Sequence, residues 1–216
     1  QIQRDVRDLT RIRSLETLPK LLALAAAYTA RLINVTDLAA PFQLTRQTIH
    51  EHVTVLERVF LLERLPPWHT NRLSRLVKRP KLHMGDTGVA CALIGADAAT
   101  LNKDRGVLGP MLESFVLQEL RRQASARSLP VSFFHYRDRD DFEVDIVLEQ
   151  GNGAVAGVEV KAGATVHEAD LRGLRKLRDA TVRHFASGVV LHDGTATIAL
   201  AARCAPFRSG DSGNRG

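Results

Sequence analysis

The 216-residue sequence lacks any run of about 18 apolar residues, so it contains no membrane-spanning helix of ordinary length. Charged side chains at Arg4, Asp5 and Arg7 interrupt the N-terminal segment, so no secretory signal peptide is expected there. The two cysteines, at positions 91 and 204, are far apart, which excludes a disulfide scaffold and a cysteine-based zinc site. These absences predict a soluble protein of the reducing cytoplasm.

The positive charge is concentrated in one segment. The whole sequence carries a net charge of +6, and residues 42–82 alone hold eight Lys and Arg against three Glu, a net charge of +5. Such a local excess can mark a surface that binds phosphate groups. The alternative is an ordinary solvated face, which charge runs form more often.

The same region has a helical pattern that ends in a predicted hairpin. Apolar spacing predicts a helix over residues 19–33, a short helix over 36–40 and a third over 46–60. Residues 62–82 then predict a β-hairpin or wing. Helix, short helix, longer helix and hairpin is the order of a winged helix-turn-helix, in which the third helix enters the major groove of DNA.

DNA is therefore the expected partner of the N-terminal region. Exposed side chains early in the third helix and on the wing would reach the bases and phosphates. Use of the winged helix only for packing or for protein contact remains an alternative. The candidate nucleic-acid-binding residues are Arg46, Gln47, His50, Arg72 and Arg75.

The second half combines a helix with strands. A helix is predicted over residues 109–127, with Pro110 in its first turn and with Leu112, Phe115, Val116 and Leu120 on its buried face. After Pro130 the hydrophobic period changes to two. The pattern predicts strands over 131–136, 141–149 and 155–162, a helix over 168–180, and strands over 188–192 and 196–201.

Strand alternation brings acidic residues of this sheet together. In strand 141–149 the acidic Glu143 and Asp145 are predicted to share one face, and the apolar Val144, Ile146 and Leu148 the other. In the next strand, acidic and basic residues at positions 159 and 161 share a face. The short hairpin between the two strands places the strands side by side, so the side chains of Asp145, Glu159 and Lys161 are expected to converge.

Carboxylates beside a lysine suit metal-dependent phosphodiester hydrolysis. Asp145, Glu159 and Lys161 are the predicted catalytic residues, and Glu113, Asp145 and Glu159 the predicted ligands of Mg²⁺ or Mn²⁺, cations that prefer oxygen. A bound cation activates water and stabilises charge on phosphorus, and a lysine can neutralise the oxyanion. The alternative is a structural ion pair, without catalysis, on an exposed strand face.

These motifs resemble known families. Glu-Val-Asp145 followed by Val-Glu159-Val-Lys161 looks like the PD-(D/E)xK nuclease-like fold. The blocks Lys81-x4-Asp-Thr-Gly88, Leu112–Leu120, Tyr136-Arg-Asp and Asp170–Leu177 resemble the DUF4143 region of bacterial and archaeal AAA-type ATPases, over about residues 2–200.

The resemblance implies an α/β (mixed) fold: a winged helix-turn-helix over 1–82, a PD-(D/E)xK-like (restriction-endonuclease-like) domain over 83–205 and a disordered tail over 206–216. It assigns Glu113 as the acid of the helix. No Gly-x4-Gly-Lys-Ser/Thr motif occurs, so ATP binding is not expected, and the chain looks like the C-terminal part of a protein whose ATPase domain would be a partner.

Three functions therefore follow from the sequence. The leading one joins DNA binding to a possible metal-dependent nuclease. The alternative is a non-catalytic interaction or regulatory module of a larger ATPase. A simple transcriptional regulator would leave the acidic residues unexplained.

Overall fold

The computed structural model describes residues 17–71, 73, 75, 79–126, 128–194 and 198–201. These residues form a mixed α/β fold with helices and two β-sheets. Arg72 and the predicted tail over 206–216 lie outside the described residues. Within the described part of the chain, no helix is long and apolar enough to cross a membrane.

The N-terminal elements follow the predicted order, but the first helix ends at Ala27 and not at residue 33, and Arg31–Leu32 form a short strand where a helix was predicted. The short helix consists of two 3₁₀ turns, Val35–Leu38 and Ala40–Phe42, because Pro41 has no N–H to continue a helix. The three strands form an antiparallel sheet in the order β1-β3-β2. The elements are α1 (Thr17–Ala27), β1 (Arg31–Leu32), α2 (Arg46–Arg58), β2 (Leu62–Leu65) and β3 (Lys81–Met84).

The C-terminal elements build a five-stranded sheet flanked by helices. Its order is β4-β5-β6-β7-β8, in which only β6 and β7 are parallel. Helices α3 (Thr87–Ile94) and α4 (Ala98–Lys103) pack in the N-terminal core, whereas α5 (Arg105–Ser125) and α6 (Arg172–Thr181) flank this sheet. The strands are β4 (Val131–Arg137), β5 (Glu143–Gln150), β6 (Val155–Lys161), β7 (Phe185–His192) and β8 (Ile198–Ala201).

Helix α5 begins earlier than predicted. Asp104 caps it by accepting a hydrogen bond from the backbone N–H of Gly106 at 2.8 Å, so Pro110 lies inside the helix and not in its first turn. The sequence places the first turn at the proline because a proline suits a first turn, but an acidic N-cap residue six positions before the proline decides the start.

The buried face of α5 also differs from the prediction. Phe115 is 47% exposed, whereas the fully or nearly buried positions are Met111, Glu113, Ser114 and Leu117. Apolar spacing misplaced this face because two of its buried residues are polar and face polar groups of β3. The prediction for Phe115 is wrong for that reason.

Strand β5 contains an extra residue that interrupts its alternation. Phe134 pairs with Val147 and Tyr136 with Val144, so two steps along β4 correspond to three along β5. Val144 consequently packs on the α6 side of the sheet with Val147, whereas Ile146 packs on the α5 side. The predicted grouping of Val144 with Ile146 is wrong, because a bulge shifts all residues beyond it by one face.

Strand β6 keeps the predicted alternation. Val158 and Val160 both pack on the α5 side, so Glu159 and Lys161 share the opposite face.

The two sheets are physically joined. After β2, the backbone of Trp68 donates a hydrogen bond to the carbonyl of His135 on β4 at 2.6 Å, and the N–H of His135 donates to Pro66 at 2.9 Å. The indole of Trp68 lies in the core beside Tyr136. The domain boundary predicted after residue 82 falls within strand β3.

Helix α6 packs so closely on β5 that residue 173 must be glycine. A Cβ at Gly173 would lie 1.8 Å from the carbonyl oxygen of Glu143, whereas a Cβ at Gly109 in α5 would approach nothing nearer than the Cβ of Ala162 at 4.0 Å. We expect Gly173→Ala to lower the free energy of unfolding by about 1–3 kcal/mol through overpacking. Gly109→Ala should leave it unchanged or raise it by up to about 1 kcal/mol, because alanine favours a helix.

Urea denaturation of both variants checks this pair. Equal stabilities of Gly173→Ala and Gly109→Ala would contradict the close contact between α6 and β5.

Candidate functional site

The ammonium group of Lys81 lies among three carboxylates. Its Nζ is 2.9 Å from Glu113 Oε1, 2.6 Å from Glu143 Oε1 and 3.2 Å from Asp145 Oδ1. Lys81 is only 2% exposed. The four side chains come from β3, α5 and the beginning of β5, so this contact ties the N-terminal sheet to the C-terminal one.

A second lysine lies with Glu159 on the neighbouring strand and also approaches Asp170, in the 3₁₀ turn before α6. Lys161 Nζ is 2.8 Å from Glu159 Oε1 and 3.7 Å from Asp170 Oδ1. Asp145 links the two groups, because its Oδ2 accepts a hydrogen bond from the backbone N–H of Val160 at 2.9 Å. The structure thus brings the predicted Glu113, Asp145, Glu159 and Lys161 to one place.

Lys81, Lys161 and their acidic partners line an open cleft of about 510 Å³. The cleft lies between the start of β5, the end of β6 and the N-terminus of α6. Six acidic and three basic side chains line the cleft, so negative charge is in excess when all of them are ionised. The acidic residues are Glu113, Asp141, Glu143, Asp145, Glu159 and Asp170, and the basic ones Lys81, Lys161 and Arg172.

This crowding of carboxylates changes their proton affinities. Burial, followed by the charge of Asp145, raises the pKa of Glu159 to about 8, although Lys161 opposes the change. Burial and Asp145 also raise the pKa of Glu113 well above its ordinary value. Burial alone would lower the pKa of Lys81, but the attraction of Asp145, Glu113 and Glu143 outweighs it and raises that pKa. The cleft therefore favours added positive charge.

The residues fit a divalent cation only in part. No group of three or more His, Cys, Asp or Glu side chains in the described ranges is arranged to hold a metal ion by itself. However, Glu159 is 7% exposed and its Oε2 has no hydrogen-bond partner among the described residues. Mg²⁺ is commonly held by one or two carboxylates together with water and substrate phosphates. Asp145 and Glu159 meet that smaller requirement.

Comparison with protein families supports the DUF4143 part of the resemblance, and only for the second half of the chain. Residues 108–208 match the model of a domain of unknown function, DUF4143. The chain contains a DUF4143 domain. Residues 1–100 match a second model, also described as a domain of unknown function, DUF8612. Glu113, Asp145, Glu159 and Lys161 thus lie in the DUF4143 domain, whereas Lys81 lies in the DUF8612 match.

Two curated relatives are similar over the same length. Uncharacterised proteins of Mycobacterium bovis and Mycobacterium tuberculosis are each 26% identical to the chain over 164 residues. The alignment covers 76% of this chain but 36% of each relative, so the chain spans about a third of their length. No solved structure matches significantly.

The predicted nucleic-acid-binding residues do not all lie on one surface. Arg46 and Gln47 are exposed in the first turn of α2, where Gln47 donates a hydrogen bond to Glu51 at 2.8 Å, and His50 is half-buried one turn on. Arg75 lies against the DUF4143 domain instead. Its guanidinium pairs with Glu149 at 2.7 Å and its side chain is only 12% exposed, so it is not on an open wing.

The basic charge of residues 42–82 is likewise divided among different places. Arg64 pairs with Glu57 at 2.5 Å, and Lys81 is buried in the acidic cleft. The net charge of the segment therefore overstates the charge that one face presents.

Sequence reasoning missed Lys81, Glu143 and Asp170 as members of the site. Lys81 stood in the Lys-x4-Asp-Thr-Gly block that carried part of the resemblance, which is the signal that could have found it. Nothing local indicated its contact with α5 and β5, since 32 and 64 positions separate Lys81 from Glu113 and Asp145.

A polar chain extends from this site into the N-terminal core. His83 is fully buried beside Lys81 on β3, with its Nδ1 3.0 Å from Ser114 Oγ. Ser114 Oγ lies 2.8 Å from Thr29 Oγ1, which accepts a hydrogen bond from the N–H of Met84 at 3.0 Å. Burial, followed by the charge of Lys81, holds the pKa of His83 well below its ordinary value of 6.5.

The buried His83 predicts acid sensitivity. The unfolded chain protonates this residue below about pH 6.5 and the folded chain does not, so the free energy of unfolding falls as pH decreases, by at most about 1.4 kcal/mol per pH unit from this group. Urea denaturation at pH 7.5 and 5.5 measures this fall in the free energy of unfolding. His83→Gln should lose less stability between these pH values than the wild type.

His184→Gln, which removes an exposed histidine, should retain the wild-type pH dependence. Identical pH dependence of wild type and His83→Gln would contradict a neutral buried histidine.

Proposed function

We propose that the DUF4143 domain is a PD-(D/E)xK-like phosphodiesterase that uses a divalent cation, and that the N-terminal region is a winged helix that brings DNA to it. The single observation that carries this proposal is the buried Oε2 of Glu159, which has no hydrogen-bond partner among the described residues and lies in a cleft with an excess of carboxylates. A buried carboxylate oxygen without a donor is costly, and a cation offsets that cost.

The roles follow from the contacts. Asp145 and Glu159 would hold the cation, Mg²⁺ or Mn²⁺, together with water and phosphate oxygens. When bound, such a cation neutralises charge on the phosphate and makes water a better nucleophile. Lys161, held by Glu159 at 2.8 Å and partly open to the cleft, would contact the developing negative charge on the phosphate. Glu113 would act through Lys81, which it holds in place.

The neighbouring surface suits a nucleic-acid strand. A second cavity, of about 570 Å³, adjoins the acidic cleft at Asp141 and is lined by Arg79, His135 and Arg137. The exposed guanidinium of Arg79 next to an acidic cleft can hold a flanking phosphate of a strand whose scissile phosphate enters the cleft. Arg137 is already paired with Asp141 at 3.0 Å.

DNA binding is assigned to the start of α2. Arg46 and Gln47 are exposed there, and Thr45 caps the helix by accepting a hydrogen bond from the N–H of Thr48 at 3.1 Å. A capped helix that presents an arginine in its first turn is the arrangement that helix-turn-helix proteins use in the major groove.

One observation favours a second candidate function. The ammonium of Lys81 already pairs with three carboxylates of the cleft. The acidic groups would then be structural, and the chain would be a non-catalytic interaction or regulatory module, as the resemblance to larger ATPases also permits. The cleavage assay below separates the two functions.

Cleavage of supercoiled and linear DNA in Mg²⁺ or Mn²⁺ tests the first proposal. The wild type should cut, and EDTA should abolish cutting. Glu159→Gln and Lys161→Met should each reduce the rate at least about 100-fold. The first change removes a charged ligand of the cation, and the second removes an ammonium that stabilises transition-state charge. Glu119→Gln, a matched change in the partly exposed Glu119–Arg122 pair of α5, should retain the wild-type rate.

Cleavage at the same rate by all four proteins would trace the activity to a contaminant. Absence of metal-dependent cleavage by the folded wild type would leave the non-catalytic module as the function.

Binding of a DNA duplex at several salt concentrations tests the role of α2. Arg46→Ala should weaken binding and reduce the slope of log K against log salt by about one unit, because one phosphate contact is lost. Arg183→Ala, a change in an exposed arginine of the DUF4143 domain, is the control. A slope unchanged by Arg46→Ala would instead indicate that α2 contacts protein.

A further inference from the structure

Resting on the proposed function, we infer that Lys81 is a built-in cation of the cleft, so that the cleft takes one divalent cation at Glu159 and has no place for a second. The inference concerns how this chain distributes positive charge among its acidic residues.

The carboxylates fall into two sets with different partners. Glu113, Glu143 and Asp145 Oδ1 all face Lys81 Nζ, at 2.6–3.2 Å. Three oxygens at these hydrogen-bond distances surround the ammonium and satisfy its three N–H donors. On this side of the cleft the position of a cation is filled.

The second set, formed by Glu159 and Asp145, still has carboxylate oxygens that can accept a contact. Glu159 gives Oε1 to Lys161, while its Oε2 is buried and lacks a partner among the described residues. Asp145 faces the same cleft, and each of its oxygens keeps a lone pair after the contacts with Lys81 and Val160. An open position for a cation therefore exists beside Glu159 and Asp145.

The fold keeps the ammonium in its position. Lys81 lies on the central strand of the N-terminal sheet, paired on one side with Leu32 and on the other with Leu65. Its side chain is 3% exposed, so water cannot replace the ammonium without a rearrangement of β3. A cation supplied in this way is permanent, unlike an exchangeable ion.

Counting bound Mn²⁺ tests the inference without an activity assay. Lys81→Met keeps most of the aliphatic stem and removes the ammonium, which leaves room for an ion among the three carboxylates. Calorimetric titration, with electron paramagnetic resonance of free Mn²⁺, should find one ion per wild-type chain and two per Lys81→Met chain. Lys103→Met, the same change at an exposed lysine of α4, should bind one.

Thermal unfolding covers the case in which Lys81→Met folds poorly. Mn²⁺ should raise the melting temperature of Lys81→Met more than that of the wild type, because the ion replaces the missing charge. Equal Mn²⁺ counts in the two proteins would overturn the inference, as would a Lys81→Met chain that stays unfolded in Mn²⁺.

The two proposals fail in different ways. The number of ions on the wild type decides the proposed function, since a wild type that binds none has no metal-dependent site. The difference between Lys81→Met and the wild type decides the role of Lys81, and a gain of one ion supports that role whatever the wild-type number is.

Discussion

One buried ammonium group sets the geometry on which this structure depends. Lys81 is nearly inaccessible to water and is held by Glu113, Glu143 and Asp145, from a helix and a strand of the other half of the molecule. A buried charge is tolerated only when opposite charges surround it, and removal of a partner leaves an uncompensated charge. The N-terminal sheet must therefore lie where its central strand meets the start of β5. The cleft is a consequence of that requirement.

The same contact makes the site a product of two sequence regions. The DUF4143 domain supplies Glu113, Asp145, Glu159 and Lys161, while the region matched by DUF8612 supplies Lys81. The hydrogen bonds between the Trp68 backbone and β4 provide a second link between the halves. The acidic cleft is thus balanced by charge from outside the DUF4143 domain, and the two regions behave as parts of one structural unit.

Much of the secondary structure was predictable because it rests on local periodicity. The alternating pattern of β6 placed Glu159 and Lys161 on one face, and the apolar spacing of α2 marked that helix. The convergence of Asp145 with Glu159 followed from a short hairpin between neighbouring strands. These features depend on residues close together in the sequence, so the sequence is sufficient for them.

What the sequence determined by itself was therefore the set of elements, the DUF4143 resemblance and four acidic or basic members of the cleft. Only the tertiary structure decided that Lys81 joins them, that Arg75 pairs with Glu149 and that a bulge moves Val144 to the other face of its sheet. The physical reason is the separation in sequence over which each interaction acts. A strand period or a helix cap acts over a few residues, whereas a buried charge is neutralised by whichever groups the packing brings to it, and here these lie up to 64 positions away.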